Sequence, residues 1–85
     1  MKVFSIFDKS AHVFGGLMLS NNEALMKRQV KSVLAAKGFG KEIDTYPDDF
    51  ELWQIGDFNE ETGVISSDPC FLVGIDSLKA EINNG

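Results

Sequence analysis

Apolar and polar positions along this chain change period several times, and each change marks an element. Over residues 2–7, Val3, Ser5 and Phe7 alternate with Phe4 and Ile6. β-Branched and aromatic side chains dominate there, which predicts a strand. Apolar groups on both of its faces predict a central, covered strand. Gly15-Gly16 then interrupts the pattern, so a loop should lead into a short extended piece at Leu17–Leu19. Beyond it the period lengthens. Met26, Val30, Val33 and Leu34 fall at i, i+4, i+7 and i+8, and the stem of Lys37 extends the stripe. That spacing predicts an amphipathic helix over 22–36. Ser20 and Glu23 have capping-box spacing, with Asn21 or Asn22 as alternative caps, and Gly38 is a natural stop.

The second half returns to period two. "FGKEIDTYPDD" reads as a loop, because Pro47 pushes Tyr46 toward extended geometry and Asp48-Asp49 favour a turn. "FELWQIGDF" alternates as a strand, "NEETG" as a short hairpin loop and "VISS" as the return strand. Gly63 is the expected left-handed residue of a type I turn with a G1 bulge. Asp68-Pro69 should break the return strand, "CFLVG" should resume it, and "IDSLKAEI" should close the chain as a short helix. Asn83, Asn84 and Gly85 should fray. The order predicts one α+β domain over residues 1–85, one amphipathic helix packed on a small, mostly antiparallel sheet.

Composition narrows the function classes. The chain has 85 residues, 44% of them hydrophobic, which fits a single core. No apolar run approaches the ~20 residues of a membrane span, and Asp8 and Lys9 arrive before a leader segment develops. The expectation is a soluble protein of the cytoplasm with no membrane contact. Net charge is −5, a poor match to phosphate, but the charge is segregated. Between Ala24 and Lys41 every charged residue is basic: Lys27, Arg28, Lys31, Lys37 and Lys41. Between Glu42 and Asp68 all nine are acidic. Lys27, Arg28 and Lys31 share one helix face, which reads either as a phosphate-contacting patch or as a solvated face pairing with the acidic stretch or with a neighbouring chain.

The acidic stretch raises the question of catalysis. A general acid/base pair needs two carboxylates in a shared cleft. Asp48, Asp49, Glu60 and Glu61 instead lie in expected turns, where water and backbone N–H groups hold them. "DFNEETGVISSD" lacks the glycine and the final glutamate of a calcium-binding loop. One Cys and one His, far apart, make no four-ligand zinc site. His12 reads as a loop residue, and Cys70, in an apolar run, as a small core hydrophobe. "FGG" and "GFG" lack the fuller phosphate-loop patterns. The expectation is no catalytic residue, no metal and no cofactor. Aromatics are the remaining resource. Trp53 alternates opposite Phe50 and Leu52, so it is the best candidate for exposure, to stack on single-stranded bases or to touch a partner.

Two segments, "MKVFSIFDKSA" and "YPDDFELWQIGDFNEETGVI", resemble the small non-structural protein of gokushovirus-type microviruses, phages with single-stranded DNA genomes. The matching positions in the second segment are Pro47, Asp48, Asp49, Phe50, Leu52, Trp53, Ile55, Gly56, Phe58, Thr62 and Gly63, with Asn59 where the family often has Asp. "SNNEALMKRQVKSVL" is similar to the family's helix, which often includes an arginine, here Arg28. The likeness runs to about residue 65, with "FGGLMLS" departing from a commonly Pro- and Phe-rich piece. It implies a non-enzymatic accessory protein, acting in the bacterial cytoplasm in single-stranded DNA synthesis or packaging. Under one reading Lys27, Arg28, Lys31, Lys37 and Lys41 contact DNA. Under the other the chain is an interaction module that binds a phage or host replication or capsid-assembly protein, or a second copy of itself.

Overall fold

Helices lie on one face of an antiparallel sheet in the computed structural model, which describes residues 1–84. The strands are β1 (Lys2–Asp8), β2 (Val13–Phe14), β3 (Met18–Ser20), β4 (Phe50–Phe58) and β5 (Ile65–Gly74). The helices are α1 (Glu23–Ala35), α2 (Lys41–Thr45) and α3 (Ile75–Asn84), with a 3-10 turn at Pro47–Asp49. The strand order is β2-β1-β4-β5, and β3 pairs with the same edge of β1 as β2 does. The two short strands together make one interrupted return strand. Phe7 faces Phe14, but Phe4 faces Met18, so one extra residue is accommodated around Gly15-Gly16.

Alternation along the strands explains the core. Phe4 and Ile6 of β1 and Phe50 and Leu52 of β4 point to the helix side. Met26, Val30 and Leu34 of α1 and Ile75 and Leu78 of α3 close over them in one buried cluster. Phe39 and Ile43 pack against its margin. This explains α2, a stretch expected to be loop. Gly40 enters it at φ 102°, and Ile43 has an apolar surface to bury against. Tertiary packing, not propensity, makes that single turn.

The caps differ in detail from the sequence reading. Asn22 caps α1, its Oδ1 accepting from the Leu25 N–H at 2.9 Å, so the Ser20–Glu23 box is not used. At the other end Lys37, not Gly38, takes the left-handed conformation, with φ 56°. Gly38 N–H donates to the Val33 carbonyl and Lys37 N–H to that of Leu34, the paired bonds of a Schellman motif. A Cβ on Gly38 would crowd Val33 Cγ1 at 2.9 Å, so glycine is needed there for space.

Several other expectations are corrected. β5 runs unbroken through Asp68-Pro69, because register shifts against β4 absorb the proline. Cys70 is exposed on this edge strand and is not a core residue. α3 includes Asn83 and Asn84, while Gly85 lies outside the described residues. The central, covered place of β1 is as expected: Val3 and Ser5 on one face and Phe4 on the other are fully buried, although helices cover only the Phe4 side. Among the described residues no helix is long and apolar enough to cross a membrane.

The bare sheet face as candidate functional site

The side of the sheet away from the helices carries the alternate residues Val3, Ser5 and Phe7 of β1. Pairing brings others to the same side. Phe14 lies opposite Phe7, Trp53 opposite Ser5 and Phe71 opposite Trp53. These four aromatics touch in series. Ring centroids are 4.7 Å apart for Phe7–Phe14, 5.6 Å for Phe14–Trp53, 6.0 Å for Phe7–Trp53 and 6.1 Å for Trp53–Phe71. Most contacts are edge-on, which the ring quadrupoles favour by about 0.5–1.5 kcal/mol per pair. None of the four belongs to the helix-side core.

Val3 and Ser5 at the middle of this face are fully buried beneath their neighbours, while its margins are apolar and open to solvent. Phe14 is 40% exposed, Leu19 48%, Phe71 49% and Ile65 52%. An uncovered apolar area of this kind marks an interaction surface. Glu51 is the one charged strand residue on the aromatic side, two positions from Trp53. Its Oε1 accepts a hydrogen bond from Trp53 Nε1 at 3.0 Å. That bond fixes the indole plane and engages the carboxylate. Trp53 is half-buried among the other rings.

The basic residues are elsewhere. α1 turns Met26, Val30 and Leu34 toward the sheet, so Lys27, Arg28 and Lys31 occupy its remaining sides. The sheet itself separates them from Trp53. Lys27 Nζ is held by Glu23 Oε2 at 2.7 Å, an i,i+4 pair. Arg28 and Lys37 are exposed, Lys31 is half-buried, and Lys41 is exposed at the start of α2. The other ion pairs among the described residues are Lys2–Asp57, Lys79–Asp44 and the N-terminal amine with Glu60. The cations of α1 therefore do not pair with the acidic stretch.

The acidic stretch is a hairpin with its lead-in turn. Asn59 Oδ1 accepts from the N–H groups of Glu61 and Thr62, and Gly63 N–H donates to the Asn59 carbonyl at 2.7 Å. Gly63 has φ 77°, as its place in the loop requires. Asp48 and Asp49 sit in the 3-10 turn. On the helix side, an apolar cleft of about 440 Å³ opens between Val13, Leu17, Met18, Phe39, Ile43 and Phe50. Its carboxylate, Asp8, is engaged by the N–H groups of Ser10 and Ala11.

Sequence reasoning found Trp53 but not its neighbours. Phe7 has the parity of Ser5, and that signal was available. Phe14 and Phe71 reach the cluster through an interrupted strand and a shifted register, which periodicity does not reveal. A family model described as Phage ORF5 protein matches residues 1–78. No curated protein and no solved structure matches the chain.

Proposed function

The chain belongs to the Phage ORF5 protein family, and from that membership we propose a non-enzymatic accessory role in making or packaging viral single-stranded DNA. The protein works in the host cytoplasm by contact, and its working surface is the bare face of the sheet. The opening and mid-chain motifs extend the proposal to a gokushovirus-type phage. One observation carries the mode of action: four linked aromatics lie on the sheet face that no helix covers, Phe14 and Phe71 exposed, with one engaged carboxylate and no strand cation beside them. A polyanion finds no counter-charge there, whereas an apolar protein surface loses nothing by covering it.

Phage carrying Phe71→Lys test this reading. Phe71 is half-exposed, so the domain should still fold. The expected outcome is accumulation of double-stranded replicative DNA, with single-stranded progeny reduced about tenfold or more, as loss of one aromatic anchor predicts. Unchanged progeny would overturn it.

A second reading rests on exposed Arg28, Lys37 and Lys41, with Lys27 and Lys31 beside them, as phosphate contacts. Titration of fluorescent single-stranded DNA across salt concentrations separates the two. Phosphate contact predicts a steep salt slope that Lys27→Glu/Arg28→Glu/Lys31→Glu reduces. Face contact predicts weak binding that the triple variant leaves alone.

A further inference from the structure

The helix layer does not seal the whole core. α1 and α3 close over most of it, but beside Ile6 the layer consists of Phe39 and the single turn of α2. The apolar cleft of about 440 Å³ opens there, with Ile6 and Phe50 of the sheet in its lining. Phe39 and Ile43 line it from the helix layer and are only half-buried. Val13, 54% exposed, and Leu17, 60% exposed, line it from the interrupted edge strand. A second cleft of about 290 Å³ adjoins the first, because Asp8 and Phe50 line both. Ser10, Glu42, Tyr46 and Asp49 complete its lining.

The two clefts differ in chemistry. The larger is apolar except for Asp8, and the smaller gathers Asp8, Glu42 and Asp49. No Lys, Arg or His lines either one. Among the described residues none of these three carboxylates joins an ion pair. Lys9 and Lys41 adjoin Asp8 and Glu42 in the chain but line neither cleft. Asp8 Oδ1 accepts from the N–H groups of Ser10 and Ala11, which leaves Oδ2 for an incoming donor.

We propose that this double cleft binds a short segment of a partner protein in which large apolar side chains stand next to an arginine. A ring the size of benzene needs ~150 Å³, so the larger cleft has room for two such side chains. Covering Val13 and Leu17 then removes exposed apolar surface from water. The adjoining carboxylates supply the charge that a cation lacks elsewhere on the segment's path. Arginine suits them better than lysine, since its planar fork pairs with carboxylates and lies flat on a ring, here Tyr46, which is 58% exposed. The site is on the helix side of the sheet, so it is a second contact surface and does not rest on the aromatic face.

Selection of phage-displayed random dodecapeptides on the wild-type chain tests the proposal. The recovered peptides should place Leu, Ile, Phe or Trp within a few residues of an Arg. Fluorescence anisotropy of a labelled recovered peptide then reads the site. Leu17→Arg, at the lip of the larger cleft, and Glu42→Arg, in the smaller, are both at exposed positions and should each weaken binding by ~10-fold or more. Circular dichroism checks that each variant is folded, and either folded variant suffices. Phe71→Lys on the sheet face should leave binding unchanged. Absence of any enriched peptide, enriched peptides without arginine, or binding indifferent to the folded cleft variants would overturn the proposal. Peptides lost in Phe71→Lys but retained in Leu17→Arg would place their contact on the aromatic face, and then the proposed function stands while the cleft site falls.

Discussion

Gly63 takes φ 77° at the end of the hairpin loop with no atom near its missing Cβ. Any penalty for a side chain there is conformational. Gly63→Val should destabilise the domain by about 1–2 kcal/mol, read as a lower urea midpoint at unchanged slope. Gly56 is the opposite case. Its backbone is not left-handed, but the Ser66 carbonyl fills the space of a Cβ, so Gly56→Ala should cost about 1–3 kcal/mol by overpacking. Lys37 holds the left-handed position that glycine usually fills at a helix end. Lys37→Gly should leave stability unchanged or raise it by about 0.5–1 kcal/mol, visible as a higher melting temperature. The helix lies on the far layer, so a Lys37→Gly variant that melts lower would contradict the capping geometry.

Among the elements, α1 and the β4–β5 hairpin were legible from the sequence for different reasons. Helix α1 carries a single apolar stripe, and Met26, Val30 and Leu34 are the positions it buries. The β4–β5 hairpin announces itself through alternation and through Gly63. The misread elements depend on partners distant in sequence. β2 is two residues long and exists because Phe14 and Val13 meet Phe7 and Asp8. Helix α2 exists because Ile43 finds the core margin. Strand β5 survives Pro69 because it is an edge, with a register shift spanning Ser67–Cys70. The bare face was half legible: the parity of Trp53 and Phe7 is in the sequence, but the bulges that bring Phe71 and Phe14 beside them are not. Energetics follow the same division. Leu52 is fully buried between sheet and helices, so Leu52→Ala should cost about 2–5 kcal/mol. In a domain this small that loss should broaden or abolish the cooperative melt.

At the scale of the whole molecule, the slab has two unlike sides. Helices and their cations form one and the linked aromatics the other, with the β4–β5 hairpin forming one side of the sheet. A chain of net charge −5 with an uncovered apolar face stays in water either by hiding that face or by keeping its concentration low. Trp53, the chain's one tryptophan, stands among the linked aromatics and reports directly on them. Its fluorescence should be read in the wild type and in Phe71→Lys, with acrylamide as quencher. Packed edge-on against Phe14 and Phe71, the indole should emit toward the blue and resist quenching in the wild type, and should emit to the red and quench more readily in Phe71→Lys. Emission and quenching indifferent to the Phe71 substitution would contradict the linked aromatic face.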